Sequence, residues 1–153
     1  MTMNNPFNSR IEISSRILLT LANRKNEKLN LEGLVISDFV TVYAREFGLS
    51  DTNLHGNNEF SFAEFTLRRQ QFEETIPFLV RQNLVNVATG EYGFEYSINN
   101  RGEQFISGFN SDYVKKYRNL TKLSAFYTDK LSQGEILSLI TRKATNSLDG
   151  RKY

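Results

Sequence analysis

The sequence predicts a mainly helical α+β fold: a winged-helix-like domain of three helices and a two-stranded β-hairpin wing, followed by a C-terminal helical extension. Three observations support this prediction. Capping residues precede three amphipathic runs in the first half of the chain, a glycine-containing stretch of short alternating segments follows at residues 84–98, and a further helical pattern begins near residue 110. We place the domain in residues 1–109 and the extension in residues 110–153, with a frayed tail from residue 146.

Two amphipathic runs predict the first two helices. Ser9 precedes the first run and can cap it, because a serine hydroxyl accepts a backbone N–H of the first turn. Its apolar residues share one helical face: Ile13, Ile17, Leu18 and Leu21. After a polar loop, a second run starts behind Asn30, continues to Phe47 and ends at Gly48, which is typical of a capped helix that stops at glycine.

A long loop over residues 48–60 leads to the third predicted helix. Ser61 and Glu64 form a capping box there. The apolar residues of its inner face are Phe62, Phe65, Phe72, Ile76, Leu79 and Val80. Pro77 removes a backbone donor at a cost of about 3 kcal/mol inside a helix. We therefore expect a kink or break near residues 73–76.

The stretch after the third helix predicts the wing. Asn83 tolerates the left-handed conformation that ends helices, and a strand follows at residues 84–87. Two glycines in residues 89–93 supply a hairpin turn. The next strand alternates, with one apolar face made by Phe94, Tyr96 and Ile98. Asn99 then caps a fourth helix.

The extension contains a heptad pattern. Its members recur at spacings of four and three: Tyr113, Tyr117, Leu120, Ser124, Tyr127 and Leu131. This spacing predicts a helix of about five turns with one apolar seam. We interpret the first two tyrosines as packed on the domain and Tyr127 and Leu131 as interface residues. Gln133 and Gly134 then break the helix, and a short last helix is predicted at residues 136–140.

The formal net charge of +2 is unevenly distributed. Residues 1–109 hold ten Lys and Arg against thirteen Asp and Glu, whereas residues 110–153 hold nine against four. The body is therefore at −3 and the C-terminal segment at +5. A basic segment on an acidic body can meet nucleic-acid phosphates or an acidic protein surface, and composition leaves both open.

Composition also bounds the compartment and the chemistry. The chain has no cysteine, which excludes disulfides and thiolate metal sites, and no apolar run long enough to span a membrane. We expect a cytoplasmic protein without membrane contact. The sequence has no P-loop, dinucleotide fingerprint, His-Glu-x-x-His or nucleophile elbow. We therefore expect a non-enzymatic protein without cofactor, metal or small-molecule substrate.

His55 is the only histidine, and it lies in the long loop beside Leu54 and Gly56. Without other imidazoles or thiols, a catalytic role would need carboxylates brought in by the fold. We interpret His55 as a structural or interface residue. An enzyme centred on it is a third hypothesis, which unchanged activity in a His55→Ala variant would remove.

Arg68 and Arg69, with Arg81 near the helix end, are the candidates for phosphate contacts if the third helix acts as a recognition helix. About a dozen loop residues precede that helix, whereas a helix-turn-helix has a turn of three or four. The wing carries Glu91 and Glu95 and no Lys or Arg, although a wing that probes phosphates would be basic. The pattern favours a winged helix that binds proteins over one that reads DNA sequence.

Five segments, taken in order, resemble a known family: Pro6–Ile13, Asp38–Phe39, Leu54–His55, Leu67–Arg69 and Asn83–Val85. The family is the middle component of bacterial ABC-three-component systems, and the resemblance covers roughly residues 6–125. Members typically follow the Leu-His pair with prolines and end the third helix with Gly-Leu-Val. This chain has Gly56-Asn57-Asn58 and Asn83-Leu84-Val85 at those places.

The resemblance implies a small non-enzymatic winged-helix subunit in antiphage or anti-plasmid defence of the Lamassu type. Such a subunit is encoded beside an SMC- or Rad50-like ATPase and an effector, often a nuclease. Its implied role is to bridge the ATPase and the effector, which requires binding surfaces rather than catalytic groups.

The first hypothesis is therefore an adaptor whose partners are the ATPase subunit and the effector nuclease subunit, with DNA reached through the complex. Its protein-interface candidates are His55, Tyr92, Phe94, Tyr127 and Leu131. Its DNA-contact candidates are Arg68, Arg69, Lys115, Lys116, Arg118 and Lys122. The alternative is a stand-alone winged-helix DNA-binding transcription regulator that dimerises through the heptad seam.

Overall fold

A computed structural model describes residues 9–25, 27–56 and 60–150, without the side chains of residues 147–150. In this part of the chain there are six α-helices and one antiparallel pair of strands, so the mainly helical α+β prediction is confirmed. The helices are α1 Arg10–Ala22, α2 Leu31–Val42, α3 Phe62–Arg81, α4 Asn100–Ser107, α5 Asp112–Asp129 and α6 Gln133–Gly150. The strands are β1 Val85–Gly90 and β2 Gly93–Ile98.

Each of the first five helices starts at a side-chain cap. The four caps proposed from the sequence are confirmed, because each side-chain oxygen accepts a backbone N–H three residues on: Ser9, Asn30, Ser61 and Asn99. Ser111 caps α5 in the same way, at 3.2 Å from the N–H of Val114. The helix starts are thus fixed by local hydrogen bonds that replace missing intrahelical ones.

The second helical run is divided into two kinds of helix. The α-helix ends at Val42, and a 3₁₀ helix follows at Ala44–Phe47. The end at Gly48 is confirmed, with a φ of 73° that favours glycine. The loop beyond it folds back on α2, since the N–H of Leu54 donates to the carbonyl of Val42 at 2.9 Å. Loop residues 57–59 lie outside the described residues.

α3 runs without interruption through Pro77, so the expected break near residues 73–76 is absent. Pro77 and Glu73 are both exposed, and water can bond the carbonyl that loses its helical partner. The first turn of α3 also differs from the prediction. Phe62 is half exposed rather than buried, while Phe65 and Phe72 belong to the core.

The hairpin is longer and its turn tighter than the sequence suggested. Asn83 has a φ of 59°, which confirms the predicted left-handed helix end. β1 continues to Gly90, which pairs with Gly93, so only Glu91 and Tyr92 form the turn. On its other side β2 pairs with Leu29, which lies between α1 and α2, through two hydrogen bonds to Tyr96 of 2.8 and 3.0 Å. The sequence reasoning did not predict this bridge.

The C-terminal helices correct two sequence predictions. The buried line of α5 is Val114, Tyr117, Thr121 and Ser124, so the predicted seam was right at two positions and displaced at the others. α6 begins at the predicted break and extends to Gly150, far beyond the expected short helix at residues 136–140. The expected fray from residue 146 is therefore absent up to residue 150, and residues 151–153 lie outside the described part.

The core is built around α2. Every residue from Leu34 to Ala44 is buried. The surrounding helices α1, α3, α5 and α6 each contribute buried side chains to the same cluster, including Ile17, Phe72, Tyr117 and Ile140. The division at residue 109 therefore does not separate two hydrophobic cores among the described residues. No described helix has the combination of length and apolarity needed to cross a membrane.

Candidate functional site

A buried carboxylate joins four helices. Asp38 of α2 accepts a hydrogen bond from Nε of Arg16 in α1 at 2.9 Å and from the hydroxyl of Tyr117 in α5 at 2.6 Å. Its second oxygen lies 2.8 Å from Nε of Arg68 in α3, close enough for an ion pair although not aligned for a hydrogen bond. Thr20 Oγ1 lies 3.0 Å from the same tyrosine hydroxyl. We call these five residues the Asp38 cluster.

The charges in the Asp38 cluster determine its protonation. Burial alone would raise the pKa of Asp38, but the charges of Arg16 and Arg68 and the hydrogen bond from Tyr117 together hold that pKa below its usual value. Burial, followed by the charge of Asp38, raises the pKa of Tyr117 well above its ordinary value. The carboxylate is thus ionised and the phenol protonated, and the pair acts as a fixed acceptor and donor.

His55 lies beside this cluster rather than on the surface. Its Nε2 is 2.6 Å from the hydroxyl of Tyr113, and the two rings stack with centroids 5.6 Å apart. Burial, followed by the charge of Arg16, lowers the pKa of His55 to about 3, with Arg68 acting in the same direction and Asp38 against it. His55 is therefore neutral at physiological pH, and it attaches the long loop to α5. Only 7% of its surface is exposed, so little of the ring is available to a partner protein.

The cluster changes the interpretation of Arg68. This residue was a DNA-contact candidate, but only 3% of its surface is exposed, and its guanidinium also lies over the rings of Phe39 and Tyr43. Arg68 therefore does not face solvent, contrary to what a DNA-contact role requires. Arg69, the next candidate, is exposed, and its Nε pairs with Glu32 at 2.9 Å. Of the three arginines of α3, Arg68 is therefore buried, Arg69 is paired with a carboxylate, and Arg81 in the last turn is exposed.

A groove lies between the hairpin and helices α2 and α3, with a volume of about 520 Å³. Its apolar lining consists of Leu31, Ile76, Pro77, Tyr92, Phe94 and Tyr96. Three charged residues border it: Glu32, Arg69 and Glu73. We call this the hairpin groove. Tyr92 is 87% exposed and Phe94 is 62% exposed, so both interface candidates of the hairpin are accessible.

The remaining interface candidates are packed within the chain. The ring of Tyr127 lies 5.6 Å from that of Phe47, and Leu131 is partly buried against the core. Tyr127 thus faces the 3₁₀ helix, and Leu131 lies in the connection between α5 and α6. An interface role for them would add to their packing role in the monomer.

The basic candidates of α5 lie on its outer surface. Lys115, Lys116 and Lys122 are exposed, and we call them the lysine face. Arg118 is partly buried and donates to the carbonyl of Ile106 at 3.0 Å, which ties α5 to α4. The structure therefore brings three of the four proposed cations of α5 together on open surface.

Some features of the site gave no signal in the sequence. Arg16 sits in an apolar helix where it resembles a single surface charge, and its partner Asp38 is distant along the chain. The one clue to the cluster was Asp38 itself, which stands inside the mostly apolar run of α2. A carboxylate in such a run is expected to be buried, and a carboxylate is buried only when it is paired. In the parts of the chain that the structure describes, no group of three or more His, Cys, Asp or Glu could hold a metal ion.

A protein-family model, that of the ABC-three component (ABC-3C) system Middle Component 2, matches residues 6–150. The matched range includes the Asp38 cluster, the hairpin groove and both C-terminal helices. Comparison with curated proteins and with solved structures gives no match.

Proposed function

Because the chain belongs to the Middle Component 2 family of ABC-three-component defence systems, we propose that it is the non-catalytic adaptor that bridges an SMC- or Rad50-like ATPase and an effector nuclease. The single observation that carries this proposal is the family match, which spans residues 6–150. Membership makes the chain a partner of the other components of its system. The bridging role, the Lamassu type and the cytoplasmic setting, where invading phage or plasmid DNA is met, are parts of the proposal.

We assign residues 10–98 to the winged-helix class. The order of elements is helix, bridge residue, helix, helix and hairpin, and Leu29 pairs with β2 as the short first strand of a winged helix does. This pairing ties the wing to the start of α2. A wing anchored in this way presents its tip at a defined position, as a binding surface requires.

The charges of the winged helix support a protein partner over a DNA groove. The outer face of α3 carries the exposed Glu73 and Glu74, and its exposed Arg69 is paired with Glu32. The hairpin adds Glu91 and Glu95. Carboxylates on both the third helix and the wing would repel the phosphates that line a DNA groove. We therefore propose that DNA is met elsewhere, through the lysine face of α5.

The alternative of a stand-alone transcription regulator has less support. It requires the seam of α5 to be free for a second copy. Tyr117 and Ser124 of that seam are fully buried, and both donate hydrogen bonds to α2, from Tyr117 to Asp38 and from Ser124 to the carbonyl of Ser37. A dimer through this seam would have to open the core of each monomer.

The test is co-expression of the chain with the ATPase and effector of its own system. We expect a tagged chain to retain both components and the effector to be lost from the ATPase when the chain is omitted. ATPase and effector that associate equally well without it would overturn the bridging role. A homodimer that binds one DNA sequence tightly, and neither component, would favour the regulator.

The DNA part of the proposal has its own measurement. Replacing Lys115, Lys116 and Lys122 by Glu should weaken DNA binding of the assembled complex. The steepness with which log affinity falls against log salt concentration should decrease by roughly 0.9 for each phosphate that is no longer neutralised. Complex assembly should be unchanged. A matched control is the triple Gln variant, which removes the charges without reversing them and should give a smaller loss.

A further inference from the structure

The hairpin groove has an apolar lining that the fold itself does not use. Val85 and Ile98 pair at the base of the hairpin and are buried in the core. The same face continues outward through Tyr96 to Phe94, which becomes 62% exposed. Residues two apart along a strand share a face, so one apolar surface runs from the core to the tip. Its outer half has no partner among the described residues.

This surface is held in place before any partner arrives. Tyr96 is fixed by two backbone hydrogen bonds to Leu29, and the hairpin closes through a turn of two residues. The opposite wall is α3, where Ile76 is buried and Pro77 is exposed. An aromatic surface that is already ordered binds at a lower entropic cost than one that must fold around its ligand.

The border of the groove is acidic. Glu32 and Glu73 line it, and Glu91 lies next to Tyr92 in the turn. The one cation of the lining, Arg69, is paired with Glu32. The sequence has no Lys or Arg from Gln82 to Asn100. The groove therefore combines exposed aromatic rings with one lining carboxylate, that of Glu73, for which the described residues show no ion pair.

From these observations we propose that the hairpin groove docks a basic segment of a partner protein, in which an apolar side chain is flanked by Lys or Arg. The apolar side chain packs between Leu31, Ile76 and Pro77. The flanking cation reaches Glu73 and lies over the rings of Tyr92 or Phe94, because aromatic faces attract cations. This inference rests on the proposed function, since the segment belongs to another component of the same system.

The chemistry distinguishes this occupant from others. An acidic segment would meet Glu73 and Glu91 without compensation, and like charges across an interface are rejected. Nucleic acid offers stacking bases but brings phosphates to the same carboxylates. A basic segment satisfies both the apolar and the charged parts of the groove.

The experiment uses the full chain co-expressed with the other components of its system. A photoreactive phenylalanine analogue replaces Tyr92, and the cross-linked partner peptide is identified by mass spectrometry. We expect a peptide with Lys or Arg beside apolar residues. A cross-link to an acidic peptide, a cross-link to nucleic acid, or no cross-link in an assembled complex overturns the proposal.

Affinity measurements on matched variants complete the test. Phe94→Ala and Glu73→Lys should each weaken binding of the cross-linked component at least tenfold, and the second loss should be reversed by a Lys→Glu or Arg→Glu change in the partner peptide. Glu74→Lys is the control, because Glu74 is exposed on the same helix but does not line the groove. Phe126→Ala, which removes an exposed ring from α5, is the second control.

The two proposals fail in different ways. If the wild-type chain binds no other component, both are overturned. If the wild-type chain assembles and the two groove variants assemble equally well, the docking site is overturned and the adaptor role remains.

Discussion

Asp38 is the residue on which the relative positions of α1, α2, α3 and α5 depend. Its carboxylate is paired with two buried arginines and accepts a hydrogen bond from a buried tyrosine. Such a cluster is a poor source of net stability, because desolvation of the charges offsets their attraction. It is a strong constraint on geometry, since any misplaced helix would leave a buried charge unpaired. We interpret it as a device that fixes how these helices meet.

We expect Asp38→Asn to lower the free energy of unfolding by about 3–5 kcal/mol, because it leaves the guanidinium groups of Arg16 and Arg68 without their buried counter-charge. Urea unfolding measures the change. Asp51→Asn removes the same charge from an exposed loop position and should change stability by less than about 0.5 kcal/mol. A loss at Asp38 as small as that of the control would contradict the structural role.

His55 makes the stability of the protein depend on pH. The pKa of His55 is lowered to about 3 in the folded chain, whereas an unfolded histidine takes up a proton near pH 6.5. Below that pH the unfolded state binds more protons, so stability falls as pH falls through this window. From pH 6.5 to 5 we expect a loss of about 1–2 kcal/mol.

Because the chain has a single histidine, this window is attributable to one residue. His55→Gln should give a nearly flat free energy of unfolding between pH 6.5 and 5, measured by urea unfolding at each pH. A further loss below about pH 4 should remain in both proteins, because unfolded aspartates take up protons before Asp38 does. Parallel profiles of the two proteins above pH 5 would be inconsistent with a neutral, buried His55.

At the scale of elements, the hairpin depends on a close approach by α4. Gly102 lies in the first turn of α4, where its N–H is bonded to the cap Asn99. A side-chain carbon at Gly102 would collide with the carbonyl oxygen of Leu84 and would lie 2.7 Å from a carbon of Ile98. The base of the hairpin and the start of α4 therefore fit together only when this position is glycine.

Gly102→Ala should destabilise the protein by about 1–3 kcal/mol, the usual cost of overpacking, and shift the hairpin away from α4. Thermal unfolding and the amide NMR signals of β1 and β2 report the two effects. Gly108→Ala is the matched control, because no atom lies within 4 Å of the added carbon and its φ of −86° suits alanine. Equal effects at the two glycines would show that the contact with Leu84 is unimportant.

The starts of the helices were predictable from the sequence, because a capping side chain bonds a backbone N–H only a few residues away. Ser9, Asn30, Ser61 and Asn99 each lie within three residues of the N–H that they bond, and Asn83 ends α3 by its own backbone conformation. The displaced seam of α5 has a different origin. Its buried line includes the polar Thr121, which periodicity of apolar residues cannot detect.

Features that depend on long-range pairing could not be read from the sequence. Leu29 bridges to β2 as a single residue with no alternation around it, and Arg68 reaches Asp38 across 30 positions of the chain. Of the candidate site residues, Tyr92, Phe94 and the lysine face are exposed. Arg68 and His55 are buried, and their burial follows from partners that are distant along the chain.

At the scale of the whole molecule, α5 and α6 complete the core instead of extending from it. They contribute the buried Val114, Tyr117, Ile136 and Ile140. Two polar contacts fasten their ends, from Arg24 to Asp129 at 3.0 Å and from Gln133 to Asn30 at 2.9 Å. The C-terminal helices thereby cover the side of α2 that α1 and α3 leave open.

A chain that ends after residue 109 should therefore not fold cooperatively. Each lost apolar side chain contributes about 1.5–3 kcal/mol on burial, and several together rival the roughly 5–15 kcal/mol that stabilises a typical domain. Circular dichroism melting and binding of a hydrophobic dye measure the outcome. A sharp thermal transition in the truncated chain would instead support residues 1–109 as an independent domain.

The burial of α2 from Leu34 to Val42 has a mechanical consequence. Close-packed protein interiors have low compressibility, so a buried helix passes on a displacement instead of absorbing it. A push on the hairpin would reach α2 through Leu29 and the residues next to it, and the Asp38 cluster joins α2 to α5. Load applied at the hairpin groove would thus be felt at the lysine face as a rigid-body movement.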